Sequence, residues 1–177
     1  PNPTQKQIDE YTRLRADFIE YRKALSKYIG KETRTADGIK AELAVNIGKP
    51  DEANNAIECD GEGIGLFRTE FLFMDRPAQP NEDEQFEAYK KAALIMKGKP
   101  VIIRTLDVGG DKGIAYLKMP KEENPFLGFR AIRYCLKNTD LYKTQLRALL
   151  RAGAYGDIRI MVPFVTCVDE IRAVRAM

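Results

Sequence analysis

Arg68 and Arg104 are the residues of this chain best suited to chemistry. Each opens an Arg-Thr pair and closes an apolar run: Ile64-Gly65-Leu66-Phe67-Arg68-Thr69 and, 36 positions on, Val101-Ile102-Ile103-Arg104-Thr105. Two guanidiniums at the ends of neighbouring strands would form a doubly cationic pocket. A guanidinium keeps its charge and offers a planar fork of donors, so such a pocket suits a small polyanion, a phosphate ester above all. The carboxyl end of a strand is where ligands bind in parallel α/β sheets and barrels. The plainer alternative is a structural ion pair, with Glu70 or Asp107 as partner. Asp107-Val108-Gly109-Gly110-Asp111-Lys112 follows and reads as a tight exit turn whose glycines let backbone amides approach a ligand. It lacks P-loop spacing, and Asp107 with Asp111 are too few to define a cation site. Arg130 and Arg133 share one face of a helical stretch, for which the spacing alone suggests a solvated charged surface.

These side chains need elements to position them. Thr4 and Gln7 form a capping box at the start of a long helix over residues 4–30. Along it Tyr11, Phe18 and Leu25 recur every seven residues, as do Leu14, Tyr21 and Tyr28, a seam that either packs on its own domain or connects two domains. Asp37-Gly38 marks a turn. Strand and helix patterns then alternate. Strands are expected at 42–47, 64–68, 101–106 and 157–164. Helices are expected after Pro50, after Asn81 with Glu84 completing a capping box, over most of 126–152, and after Thr166 and Asp169. Four βα units with near-continuous apolar strands predict an α/β fold with a parallel sheet. They fall short of the roughly 250 residues of a complete (β/α)8 barrel.

Composition excludes several classes. With 44% hydrophobic and 31% charged residues the chain is an ordinary globular one, and a net charge of +3 without basic runs gives no case for nucleic acid. No apolar stretch is long enough for membrane insertion. There is no histidine, which removes a Ser-His-Asp triad, a His-ligated metal and a phosphohistidine from this chain. Cys59, Cys135 and Cys167 are isolated and read as reduced thiols of a cytoplasmic protein. The start at Pro1 and the stop at Met177 inside a helical pattern suggest a piece of a longer protein.

Three ordered segments carry a resemblance: Gly63-Ile64-Gly65-Leu66-Phe67-Arg68-Thr69-Glu70-Phe71-Leu72-Phe73-Met74, Arg104 through Lys112, and Glu123-Asn124-Pro125-Phe126-Leu127-Gly128-Phe129-Arg130-Ala131-Ile132-Arg133. They resemble the enzyme I family of the bacterial sugar phosphotransferase system. The alternatives are a barrel fragment of pyruvate phosphate dikinase or phosphoenolpyruvate synthase, which share its barrel but are less similar in wording, and a non-catalytic half-barrel binding module. The resemblance implies a linker helix at 1–30 and, at 31–177, the N-terminal half of a phosphoenolpyruvate-binding (β/α)8 TIM barrel. It implies that Arg68 and Arg104 grip the substrate phosphate, with Arg130 a further active-site arginine. It also implies Mg²⁺, a homodimeric parent, and transfer through an enzyme histidine to the phosphocarrier protein HPr. The histidine and HPr-docking domain would lie upstream, and the Mg²⁺ carboxylates and acid/base cysteine downstream. No catalytic residue and no metal ligand is therefore expected in this chain, which would be inactive alone. A half-barrel with open strand edges is also expected to self-associate or to be loosely folded.

Overall fold

The computed structural model describes residues 2–109, 114–119 and 122–177. Gly110, Asp111, Lys112 and Lys121 lie outside the described residues. The chain divides into two compact units, Pro1–Ala41 and Glu42–Met177.

The first unit is built on helix α1 (Gln5–Leu25), followed by a 3-10 turn at Ser26–Tyr28. Its start is set by the expected capping box: Gln7 Oε1 accepts from the Thr4 amide at 2.9 Å, and Thr4 Oγ1 accepts from the Gln7 amide at 3.4 Å. None of its residues is buried, and the seam from Tyr11 to Tyr28 is exposed along its length. Beyond the helix, Gly38 adopts φ 88° and turns the chain so that Arg34 bridges Lys40.

In the second unit strands and helices alternate. The elements are β1 (Ala44–Ile47), α2 (Ala53–Glu58), β2 (Gly63–Arg68), α3 (Glu70–Phe73), α4 (Glu82–Met96), β3 (Val101–Arg104), α5 (Ala131–Lys137), α6 (Thr139–Ala152), β4 (Ile158–Met161) and α7 (Val168–Arg175). The four strands form one all-parallel sheet in the order β1-β2-β3-β4, so each pairs with its predecessor in the chain. The α/β class and parallel sheet are as expected.

Side-chain alternation sorts the faces of the sheet. On β3, Val101 and Ile103 are fully buried, whereas Ile102 and Arg104 point the other way and are only half-buried. Val101 and Ile103 join Phe67, Tyr89, Met96 and Leu149 in the core shared by the sheet with α2, α4 and α6. A second cluster, including Phe73, Leu106, Cys135 and Tyr142, lies beyond the strand ends.

One local expectation holds with a break, and another changes. The helical stretch expected over most of 126–152 breaks at Asn138, whose amide donates to the Cys135 carbonyl while its side chain donates to that of Tyr134. Residues 126–130 form a turn. The last helix is capped one position later than expected: Glu170, not Asp169, accepts from the amides of Thr166 and Cys167, at 2.6 and 3.2 Å. Asp169 instead pairs with Arg172 one turn on.

Candidate anion site at the ends of β2 and β3

The parallel register sets Arg68 directly beside Arg104 at the carboxyl ends of β2 and β3. The two arginines meet as their spacing suggested, but they are not equivalent. Arg68 is exposed, lies 5.3 Å from the centre of the Phe71 ring, and forms no ion pair among the described residues. Phe71 reaches that position across Gly48, where an added Cβ would come within 2.8 Å of the ring. Gly48 thus leaves room for the platform on which Arg68 rests.

Arg104 is held by two carboxylates. Its Nη2 donates to Glu70 Oε1 at 2.8 Å and its Nη1 to Asp107 Oδ2 at 2.9 Å. Both candidates for a structural ion pair are therefore used at once. The doubly cationic pocket needs correcting accordingly: Arg104 is only 16% exposed, and burial on that scale requires a counter-charge. Its remaining N–H groups are still directed by this clamp, so the side chain is fixed in one orientation. The unshared positive charge of the pair belongs to Arg68.

Arg130 completes the cluster. Its Nη2 and Nε donate to Asp107 Oδ1 at 2.8 and 3.1 Å, so Asp107 lies between Arg104 and Arg130. Arg130 is 2% exposed, and its guanidinium lies 4.6 Å from the Phe164 ring centre and 5.2 Å from that of Phe126. The solvated face suggested for Arg130 is therefore overturned. It caps the start of α5 from a buried position, because the preceding loop is drawn inward. Glu122 accepts from the Phe129 amide with both oxygens at 2.9 and 3.0 Å, and Arg133 donates to the carbonyls of Leu127 and Gly128. A Cβ at Gly128 would fall 2.0 Å from the Glu122 carboxylate, which explains the glycine. Two non-glycine residues with left-handed backbones adjoin Arg130: Ala131 next to it in the chain (φ 48°) and Phe164 over its guanidinium (φ 61°). Such conformations persist where surrounding structure enforces them, and they cluster at functional sites.

A polar web lies behind the arginines. Thr69 Oγ1 donates to the Arg104 carbonyl at 2.7 Å, tying β2 to β3. Gln145 of α6 accepts from the Leu106 amide at 2.9 Å and donates to Thr69 Oγ1 and the Tyr89 hydroxyl, both at 3.2 Å. Burial pushes the Tyr89 phenol far above its usual range and so keeps it protonated. Cys135, which donates to the Leu106 carbonyl at 3.9 Å, is pushed up to about 12 by burial and then by the charge of Asp107. It is an un-ionised structural thiol.

The family profile described as "PEP-utilising enzyme, PEP-binding domain" matches residues 22–177. The chain belongs to this family of PEP-utilising enzymes. Three curated relatives, each named phosphoenolpyruvate-protein phosphotransferase, show the likeness. The Geobacillus stearothermophilus protein is 52% identical over 99% of this chain, and the Listeria monocytogenes protein 49% over 98%. The Priestia megaterium protein is 48% identical over 99%. The chain spans 30–31% of the length of these relatives.

Within this PEP-binding domain, sequence reasoning located the three arginines but missed Gln145 and Phe164. Gln145 left a signal: it occupies a core position of α6, between Leu141 and Leu149 at helical spacing, where an apolar residue is expected. Phe164 left none, because its contact with Arg130 spans distant segments.

Proposed function

We propose that this chain supplies the phosphate-gripping half of a phosphotransferase that takes the phosphoryl group of phosphoenolpyruvate to an enzyme histidine and on to HPr, for sugar uptake. The observation that carries this reading is the register pair Arg68–Arg104 at the carboxyl end of a parallel sheet, in a chain of the PEP-utilising family. Arg68 supplies an exposed donor fork resting on Phe71. Arg104 supplies a fork held by Glu70 and Asp107. Both hold phosphoryl oxygens and balance charge as the bond to the enol oxygen breaks. Arg130 acts through Asp107, which it holds against Arg104, rather than on the substrate itself. The chain has no histidine, so the phosphoryl acceptor is contributed from elsewhere in the longer protein.

The sheet is read as the first four strands of a (β/α)8 barrel. The half-buried face bearing Ile102 and Arg104 is then the barrel interior, which later strands would cover. Mg²⁺ is the expected cofactor, supplying Lewis-acid stabilisation of phosphoryl charge. Among the described residues no three of Asp, Glu, Cys or His converge on a point, and both oxygens of Asp107 already accept from arginines. A cytoplasmic, homodimeric parent is part of the same reading; no helix among the described residues is long and apolar enough to cross a membrane.

The test is substrate kinetics in the full-length protein. Arg104→Ala should lower kcat/KM for phosphoenolpyruvate by about 10²–10³, and Arg68→Ala should raise KM. Unchanged kinetics in both variants would remove the phosphate assignment.

A further inference from the structure

We infer that Gln145 is a positioning residue for the two arginines: its single amide sets the spacing of the segments that carry them. The inference rests on the phosphate reading above and extends it to a residue remote from the ligand.

Gln145 is fully buried, yet every hydrogen-bonding valence of its amide nitrogen is used and its oxygen is engaged. Its oxygen accepts from Leu106, two residues past Arg104. Its nitrogen donates to Thr69, one residue past Arg68. Thr69 in turn donates to the Arg104 carbonyl, which closes a ring through Thr69, the Arg104–Leu106 backbone and the Gln145 amide. The chain leaves the strand ladder at these points, so β-sheet hydrogen bonds no longer fix the distance between the two segments. The amide takes over that task.

The amide is itself anchored from behind. Its second N–H donates to Tyr89, Tyr89 donates to Gln85 Oε1 at 3.1 Å, and Gln85 donates to the Pro80 carbonyl at 3.0 Å. Each donor meets one acceptor, so the plane of the Gln145 amide has one satisfied orientation. An apolar side chain of equal volume would fill the site but leave the Leu106 amide buried and unpaired. That segment would relax, and Arg104 would lose its alignment with Arg68. Misplacement of a reacting group by about 1 Å costs on the order of 100-fold in rate.

The experiment compares Gln145→Met, Thr69→Val, Thr69→Ser and Arg104→Ala in the full-length protein, at a temperature where near-ultraviolet circular dichroism shows each folded. Gln145→Met and Thr69→Val should each lower kcat/KM for phosphoenolpyruvate about 10- to 100-fold. Thr69→Ser, which keeps the hydroxyl, should stay within about twofold of the parent protein. The decisive arm is the double variant Arg104→Ala/Gln145→Met. If Gln145 acts by aligning Arg104, the double variant is no worse than Arg104→Ala alone. A merely structural glutamine would lower thermal stability, leave kcat/KM of the folded protein unchanged, or multiply with Arg104→Ala, and any of these kinetic results overturns the inference. If Arg104→Ala is itself without effect, the phosphate reading fails and this inference with it. Should Gln145→Met not fold, Thr69→Val is judged by the same criteria.

Discussion

At the carboxyl end of the sheet, Arg104 pairs with Glu70 and shares Asp107 with Arg130, with side chains 2–16% exposed. On the outer helical layer, Arg147 and Arg151 of α6 share Glu82 of α4 and Arg151 also pairs with Asp83, with side chains 28–80% exposed. The chemistry is the same and the distances are similar, yet the consequences differ. The inner cluster surrenders the hydration of four charges, so each partner becomes indispensable to the others. The outer cluster surrenders little and gains little. Buried ion pairs are weak devices for stability, which suits an inner cluster retained for orienting Arg104.

The contrast can be broken most sharply by reactivity. Cys135 borders the inner cluster and is buried, while Cys59 and Cys167 are exposed. With its thiol raised from 9.0 to about 12, Cys135 holds about a thousandth of the usual thiolate at mild pH. Thiol titration with a disulfide reagent should therefore show two fast groups and one that reacts only on unfolding. Three fast groups would mean that the inner region is open. The next effect is on stability. Asp107→Ala removes the carboxylate between two buried arginines and should cost about 3–5 kcal/mol, read as a fall in the urea midpoint. A loss no larger than that of a surface pair would erase the distinction between the clusters. The smallest effect belongs to Glu82→Gln. The Glu82 carboxyl is lowered first by its hydrogen bond from Arg147 and then by that from Arg151. A lowered carboxyl stabilises the fold above its ordinary value of 4.5 and loses that contribution as pH falls through the folded value. Wild type and Glu82→Gln should thus differ slightly near neutral pH and converge in acid. They should also converge at about 1 M salt, where the screening length is about 3 Å.

Much of the fold was legible because it is written in short-range patterns. Apolar runs marked all four strands within a few residues, and the boxes at Thr4–Gln7 and Asn81–Glu84 marked helix starts. Arg68 and Arg104 were legible because strand ends are fixed by those runs. What stayed hidden depends on how the loops beyond the strand ends fold. The spacing offered Glu70 or Asp107 as a partner for Arg104 but not that both would hold it at once. Nothing near Arg130 tells that the Glu122–Phe129 clamp turns the loop inward and buries it. A charged residue at helical spacing looks solvated until the loop before it is placed.

The order of the strands has a consequence for synthesis. Because each strand pairs with the one made just before it, the sheet can be laid down in the direction in which the ribosome delivers it, and no early strand waits for a distant mate. The arginines emerge with β2 and β3, but the glutamine that sets their spacing arrives on α6, after both. A nascent chain paused between them would carry three paired strands with the spacing of its two arginine-bearing segments not yet set. Competence to hold an anion then comes later than the pairing of β2 with β3, at the moment α6 docks, and β4 is added after it.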